Sequence, residues 1–284
     1  IQDLQAELGM AVLLITHDLG VVANLAEEVV VVYHGKLMES GSVKTLFEAP
    51  EHPYLRALMQ AVPRVGMEAG EKLTPIRSVE RPSDSHLLAR EPWPETTSDT
   101  PLLSVRSVSK TYALRGQGIF ARAERVRHKA LDGVTFSIRR GECLGLVGES
   151  GCGKTTLSKI IMRAINADEG EIEFDDRGKV VRLDTLDDMS LIEYRKKIQF
   201  IFQDPFSSLN PRMTVFDLVS EPLAIHDVGD RASRIEVVKE LMSHVGLDPR
   251  FLARYPHSFS GGQRQRIGIA RALALNPELL ICDE

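Results

Sequence analysis

The sequence lacks the features of a membrane-spanning protein, of a secreted protein and of a protein stabilised by bound metals or disulfides. None of its apolar runs approaches the roughly 18 residues that a transmembrane helix needs, so we expect no segment to cross a bilayer. The first residues show no basic start followed by an apolar stretch, which argues against a secretory signal there. The three cysteines, Cys143, Cys152 and Cys282, have neither metal-ligand nor disulfide-framework spacing and fit a reducing cytoplasm best.

An excess of positive charge is also missing, because the formal net charge is -5. This balance gives no general attraction to nucleic acid or to an anionic membrane surface, so we expect no nucleic-acid partner. The exception is local: residues 115–129 hold five basic residues against one acidic residue, Glu124. Such a run is usually a solvated loop, and contact with a membrane or another anionic partner is the alternative.

What the sequence does contain is strand and helix patterns in two blocks, and its hydrophobic content of 43% is that of a globular protein. Residues 1–64 contain a predicted strand at 11–15, a helix at 19–26 and a strand at 29–33. Residues 65–101 are polar and rich in proline, which predicts a linker. In residues 102–284, predicted strands at 102–108, 134–138, 143–147, 198–202 and 279–282 alternate with helices. This alternation favours an α/β domain with a mostly parallel sheet.

A phosphate-binding loop is predicted between the apolar run 143–147 and a helix that begins at Lys154. Its residues are Gly148, Glu149, Ser150, Gly151, Cys152, Gly153, Lys154 and Thr155, with Thr156 next in the helix. Glycines let the backbone amides wrap around phosphates, and the helix N-terminus adds positive potential. Lys154 is expected to bind the β- and γ-phosphates and Thr155 to bind Mg²⁺. The alternative is an ordinary glycine turn between a strand and a helix.

Two carboxylates follow the last apolar strand and complete this predicted site. Residues 279–282 would deliver Asp283 and Glu284 to the carboxyl edge of the sheet. We expect Asp283 to hold Mg²⁺ through water and Glu284 to act as the general base on the attacking water. Two acids after a strand can instead cap the next helix, which is the alternative interpretation.

A second glycine-rich motif narrows the class of nucleotide-binding protein. It reads Phe259, Ser260, Gly261, Gly262, Gln263, Arg264, Gln265 and Arg266. This run resembles the signature sequence of ABC ATPases, except that Phe259 stands where Leu is commoner. The resemblance implies a P-loop NTPase fold with a parallel core, an antiparallel β part and a helical subdomain. It also implies that Ser260, Gly261, Gly262 and Gln263 meet ATP held by another ABC domain in a head-to-tail pair.

Three further residues match functional positions of ABC ATPases. The resemblance implies that Gln203, after the predicted strand 198–202, touches Mg²⁺ and the attacking water, although it could be any polar residue at a strand end. It implies that Tyr112 stacks on adenine, although a lone Tyr often only packs. It implies that His17 is the switch histidine that contacts the γ-phosphate, although a single histidine is often structural.

The order of these motifs indicates two ABC domains in one polypeptide. His17 belongs to the end of a first domain, whereas the phosphate loop, the signature and the acidic strand belong to a second domain. We therefore expect the chain to be a segment of a longer ATPase that contains two ABC domains in tandem. One alternative to a transport ATPase is that this chain, by itself, binds ATP without hydrolysing it.

Two segments resemble the dipeptide, oligopeptide and nickel importer group of ABC ATPases, namely residues 51–64 and the long loop 203–214. The resemblance implies an ATPase at the cytoplasmic face of the inner membrane that powers import of peptides or related solutes. Its implied partners are transmembrane permease subunits and, through them, a solute-binding protein. Prolines in the loop would stiffen it for docking on a permease helix, and an unpartnered surface loop is the alternative. A soluble ABC ATPase that acts on ribosomes or DNA is the rival function.

Overall fold

The computed structural model describes residue 5 and residues 7–16, 18–33, 35–62, 100–114, 126–204 and 208–283. The chain divides into two compact units, residues 1–78 and residues 79–284. Among the described residues no helix has the length and apolar character needed to cross a membrane.

The first unit is a small α/β arrangement. Helix α1 (Leu19–Leu25) begins at Asp18, whose carboxylate accepts hydrogen bonds from two backbone amides of the first turn. Strands β1 (Glu28–Tyr33) and β2 (Lys36–Ser42) pair antiparallel, and helices α2 (Val43–Glu48) and α3 (Pro53–Gln60) follow. Val31, Leu46 and Leu55 form its buried centre. The helix predicted at 19–26 and the strand predicted at 29–33 are therefore confirmed.

The second unit begins with an antiparallel sheet. Its four strands are β3 (Leu103–Leu114), β4 (Val126–Ile138), β5 (Glu169–Asp176) and β6 (Lys179–Arg182), in the order β4-β3-β5-β6. Apolar side chains of this sheet pack against helix α4 (Lys154–Ile161), where Leu157 and Ile160 are almost fully buried. The sheet therefore forms the support on which the helix after the predicted phosphate loop rests.

A parallel pair of strands carries the carboxyl-edge residues. After helix α5 (Asp188–Lys197) comes β7 (Ile198–Ile201), which pairs in parallel with β8 (Leu279–Cys282). Both strands are short and mostly apolar, and Ile198, Ile201 and Leu279 are buried. Ile198 and Leu279 join the same core as α4, so the parallel pair and the antiparallel sheet share one hydrophobic core.

Three helices between β7 and β8 form a subdomain with a core of its own. They are α6 (Val215–Ile225), α7 (Arg231–His244) and α8 (Gly261–Leu273). Val238, Leu241 and Met242 of α7 are fully buried in this core. The helical subdomain implied by the ABC resemblance is therefore present.

Several predicted elements differ from the structure. The strands predicted at 143–147 and 11–15 are wrong, because both segments are non-regular and their apolar side chains are largely exposed, as in Leu13, Ile15 and Val147. An apolar run becomes a strand only when a neighbour supplies ladder hydrogen bonds, and neither run has one among the described residues. The expected loop 115–129 is also partly wrong, since β4 already includes Val126; residues 115–125 lie outside the described part. Within that part, only the β7-β8 pair is parallel.

Candidate functional site

The predicted phosphate loop forms a glycine-dependent turn at the start of α4. Gly151 and Gly153 have φ values of 85° and 103°, the left-handed region that glycine adopts at little cost. The first amides of any helix lack intrahelical acceptors, and Gly153, the N-cap of α4, provides no side-chain acceptor for them. Such amides are the donors that bind phosphate oxygens at helix N-termini. The local geometry suits an anionic ligand.

Lys154 is held over this loop by main-chain acceptors. Its Nζ donates to the carbonyl oxygens of Gly148 at 2.6 Å and Glu149 at 2.9 Å. The Sγ atom of Cys152 lies 3.8 Å from the same ammonium group. The positive charge therefore stays beside the loop amides, where a terminal phosphate would meet both.

Strand β4 supports the phosphate loop and links it to Tyr112. A Cβ atom on Gly153 would overlap the carbonyl oxygen of Ala130 and come within 2.9 Å of Leu131, so the loop rests directly on β4. Two residues earlier in β4, His128 pairs across the sheet with Tyr112 of β3. Tyr112 has 38% of its surface exposed, and Lys110 Nζ lies over its ring at 5.9 Å from the ring centroid. One strand thus places the predicted adenine contact and the predicted phosphate contact on the same support.

The strand segment around Tyr112 is held by an ion pair. Lys110 Nζ lies 2.7 Å from a carboxylate oxygen of Asp168, whose other oxygen accepts from the Thr111 amide at 2.7 Å. The hydrogen bond from Lys110, followed by that from Thr111, lowers the pKa of Asp168. Asp168 is therefore ionised at neutral pH and anchors the two residues that precede Tyr112.

Thr155 and Asp283 bring the phosphate loop and the acidic strand together. The Thr155 hydroxyl donates to Oδ2 of Asp283 at 3.0 Å, although 128 residues separate them in sequence. A hydroxyl and a carboxylate are the hard oxygen ligands that Mg²⁺ prefers, so this pair fits the predicted metal. The described residues contain no group of three or more His, Cys, Asp or Glu side chains placed to bind a metal. A magnesium ion here would therefore depend on water and phosphate oxygens for its other ligands.

Gln203 lies near the same edge as Asp283. The Asp283 amide donates to the carbonyl oxygen of Ile201, the last residue of β7, at 3.1 Å. Gln203 follows Ile201 by two residues and is exposed. Because β7 and β8 are parallel, their carboxyl ends lie at one edge, and the backbone of Gln203 leaves the sheet at the edge where Asp283 follows β8.

The signature residues form the N-terminus of α8. Ser260 is the N-cap, and it forms a reciprocal capping box with Gln263: Ser260 Oγ accepts the Gln263 amide at 3.4 Å, and Gln263 Oε1 accepts the Ser260 amide at 2.9 Å. Gly262 faces open space and is exposed. Phe259 is 5% exposed and packs edge-on against Phe251 in the core of the helical subdomain. The unusual Phe therefore serves the apolar role that Leu would serve.

Other predicted residues are half-buried, exposed or outside the described part of the chain. Glu149, Ser150 and Cys152 are exposed in the loop, and Thr156 is half-buried in the first turn of α4. His17 and Glu284 lie outside the described residues, so their roles as switch histidine and general base stay predictions. Cys282 is exposed, and partial desolvation, followed by the proximity of Cys143, raises the pKa of its thiol.

Comparison with known families identifies the architecture. Residues 131–284, more than half of the chain, match the family model described as ABC transporter. The chain belongs to the ABC transporter family. Residues 38–86 match a second model, described as the C-terminal region of oligopeptide/dipeptide transporters. The predicted resemblance to ABC ATPases and to the peptide-importer group is therefore confirmed.

Curated relatives include the glutathione import ATP-binding protein GsiA of Escherichia coli, which is 44% identical over 100% of this chain and 45% of the relative. GsiA of Salmonella typhimurium has the same identity and coverage. The chain thus spans less than half the length of the curated relatives it matches.

Two solved structures show the same fold. A dimeric ATP-binding cassette in a post-hydrolysis state, bound to ADP and Pi, is 33% identical, with a TM-score of 0.54 over 63% of this chain and 72% of that chain. The cbiO1 protein from Clostridium perfringens, part of the ABC transporter complex cbiONQ, is 26% identical, with a TM-score of 0.51 over 65% of each chain. The predicted ABC-type α/β fold class is therefore confirmed.

Sequence reasoning missed two contacts that shape the site. One is the support of Gly153 by Ala130, and the other is a hydrogen bond from Arg271 to Ser208 in the loop after Gln203. Gly153 is far from Ala130 in sequence, and Arg271 is far from Ser208. Local periodicity carries no signal for such contacts. A glycine preceding the phosphate-loop lysine was the only hint of the first one.

Proposed function

We propose that this chain is part of the ATP-binding component of an ABC importer, in which ATP hydrolysis drives uptake of peptides or related small solutes such as glutathione. The hydrogen bond between Thr155 and Asp283 carries the proposal, because it unites the phosphate loop with the acidic strand. The matching family models and the glutathione-import relatives support the transport role. The pore would belong to separate permease subunits.

The loop residues would bind the triphosphate of ATP. Free amides at the start of α4 and the ammonium of Lys154 would neutralise the phosphate charge, and Tyr112 would stack on the adenine. Thr155, Asp283 and Gln203 would hold Mg²⁺, which supplies charge neutralisation between the β- and γ-phosphates when bound. Glu284 would orient and deprotonate the attacking water, and His17 would serve the equivalent site of the other domain.

Hydrolysis would require two ABC domains in head-to-tail contact. Ser260, Gly261, Gly262 and Gln263 would then face ATP bound to the phosphate loop of the partner domain. The dimeric state of the cassette with ADP and Pi supports such a pairing. For the chain alone we expect ATP binding with negligible hydrolysis, and rapid turnover by this chain alone would contradict the composite site.

The permease would dock at the cytoplasmic face of the inner membrane, on the loop 203–214. We propose that a separate solute-binding protein selects the solute, so the ATPase would not contact it. The long tandem protein would then be a peripheral membrane component.

The test uses the full-length tandem protein reconstituted with its permease subunits in liposomes. We expect Glu284→Gln to bind ATP normally and to reduce ATP turnover by at least about 100-fold, since a general base contributes that much or more. Asp283→Asn should weaken magnesium-dependent binding as well as turnover. The matched control is Glu236→Gln, which removes an exposed acid on α7 that forms an ion pair with Lys239 of the same helix. Wild-type-like turnover in Glu284→Gln would refute its role, and turnover without uptake of labelled glutathione or dipeptide would refute the solute class.

A further inference from the structure

Lys110 contacts both Tyr112 and Asp168. Its Nζ lies over the Tyr112 ring, 5.9 Å from the ring centroid, a distance at which an ammonium group and an aromatic face attract each other. The same Nζ donates to Oδ1 of Asp168 at 2.7 Å. The side chain of Lys110 is 17% exposed and that of Asp168 is 43% exposed. A carboxylate partner therefore holds the ammonium group over one face of the ring.

Asp168 is itself fixed to the main chain of β3. Its Oδ2 accepts the Thr111 amide at 2.7 Å, and its own amide donates to the carbonyl oxygen of Ser109 at 2.9 Å. The next residue, Glu169, begins β5 and pairs with Ser109. Ion pairs near the surface usually contribute little, because both side chains must be ordered when the pair forms. Here the main-chain hydrogen bonds order the carboxylate of Asp168 in advance, so Lys110 has a fixed partner.

The position of Lys110 determines which face of the Tyr112 ring can receive a base. An aromatic ring has two faces, and a base that stacks on it needs one of them. Because the ammonium group lies over one face, a base would stack on the other. Tyr112 also pairs across the sheet with His128 of β4, and two residues later in β4 Ala130 lies against Gly153. The ring is therefore oriented by the same pair of strands that supports the phosphate loop.

We propose that Lys110 is a positioning residue for nucleotide binding: paired with Asp168, it holds the Tyr112 ring so that the opposite face receives the base of ATP. This role rests on the proposed function, because it concerns how the same site binds ATP. A side chain that is free to rotate loses conformational entropy when a ligand orders it, whereas a side chain held in advance loses less. Lys110 therefore raises the affinity for the base and leaves the affinity for the phosphates unchanged.

The test compares the binding of ATP and of inorganic tripolyphosphate to this chain, each with Mg²⁺, by titration calorimetry. Tripolyphosphate has no base, so its affinity reports on the phosphate loop alone. In Lys110→Met we expect the affinity for ATP to fall about fivefold and the affinity for tripolyphosphate to stay within about twofold. An equal fall for both ligands, or an unchanged affinity for ATP, would overturn the proposal.

Two further variants distinguish positioning of the ring from a general loss of structure. Lys110→Arg keeps a cation that can pair with a carboxylate and lie over an aromatic ring, so it should recover at least half of the lost ATP affinity. Arg106→Met is the matched control on β3, because it removes a cation that pairs with Glu173 at 2.8 Å. It should leave both affinities unchanged. No recovery in Lys110→Arg, or a fivefold loss of ATP affinity in Arg106→Met, would show that any cation change on β3 has this effect.

A double substitution tests whether Lys110 acts through Tyr112. When Tyr112→Ala is already present, Lys110→Met should cause no further loss of ATP affinity, since the ring on which Lys110 acts is gone. Losses that add in the double variant would refute the positioning role.

Asp168→Asn decides the question if Lys110→Met does not fold. Its side-chain oxygen can still accept from the Thr111 amide, but the charge that holds Lys110 is lost. The affinity for ATP should then fall about threefold with that for tripolyphosphate unchanged, and an ATP affinity equal to that of the unsubstituted chain would refute the role of the ion pair.

The two ligands also separate this role from the proposed function. If the unsubstituted chain binds both ligands but Lys110→Met binds ATP equally well, Lys110 has no positioning role and the proposed function stands. If the unsubstituted chain binds neither ligand, the proposed function fails.

Discussion

Replacing Gly153 with Ala tests whether β4 positions the phosphate loop. The new Cβ would overlap the main-chain oxygen of Ala130 and lie 2.9 Å from a methyl carbon of Leu131. A backbone oxygen cannot rotate away, so relief requires the loop or the strand to shift. The residue also has a φ of 103°, which any residue other than glycine adopts at a cost.

The expected magnitude has two parts. The left-handed conformation costs about 1–2 kcal/mol for alanine, and overpacking against a rigid neighbour costs about 1–3 kcal/mol. The free energy of unfolding should therefore fall by about 2–5 kcal/mol. If the shift removes two amide contacts to phosphate, each worth about 1.5 kcal/mol, ATP affinity falls about 100-fold.

The assay combines urea unfolding with titration of a fluorescent ATP analogue. Gly141→Ala is the control, because Gly141 has a φ of 75° and no neighbouring atom lies within 4 Å of the position that an added Cβ would take. The free energy of unfolding of this variant should fall only by the cost of the left-handed backbone conformation, about 1–2 kcal/mol. Its affinity for ATP should be unchanged. Equal ATP affinities for the two variants would refute the reasoning that β4 positions the loop.

Three further predictions concern the nucleotide base, the helical core and pH. Tyr112→Ala should weaken ATP binding by up to about tenfold while Tyr112→Phe retains it, because the ring face supplies about 0.5–1.5 kcal/mol; equal losses in a binding titration would contradict stacking. Phe259→Ala should lower the free energy of unfolding by about 3–5 kcal/mol, and Phe259→Leu should lower it by far less. Equal thermal stabilities of these two variants would contradict the buried role of Phe259. Burial, then Lys196, lowers the pKa of His226 below 6.5 despite the nearby Glu193. As pH falls, His226 is therefore protonated in the unfolded chain before it is protonated in the folded chain, so the free energy of unfolding should decrease below about pH 6.5. In urea unfolding, His226→Gln should reduce this dependence of the free energy of unfolding on pH.

Several local sequence signals correspond to elements of the structure. Ser260 caps α8 through the capping box that it forms with Gln263, a pattern that spans only a few residues. Lys154 begins α4 as the phosphate-loop pattern predicts, and the apolar runs 198–202 and 279–282 correspond to β7 and β8. Each of these signals acts within a few residues, so periodicity and capping chemistry are sufficient to find it.

Long-range partners could not be predicted in the same way. Residues 143–147 have the composition of a buried strand, yet in the structure they have no ladder partner among the described residues, and Val147 is 90% exposed. Hydrophobicity shows that a segment tends to be buried, but it does not identify the neighbour that buries it. The contact between Arg271 and Ser208 also depends on how two elements pack.

The parallel pairing of β7 with β8 determines the order in which a newly made chain can fold. Ile198 pairs with Leu279, so 81 residues (279 minus 198) must emerge after Ile198 before this ladder begins. At about 5–20 residues per second, translation of that stretch takes roughly 4–16 s. The helices α6 to α8 have their own core and form mainly local contacts, so they can fold during this interval. Until β8 has emerged, β7 has no ladder partner in the part of the chain that the structure describes.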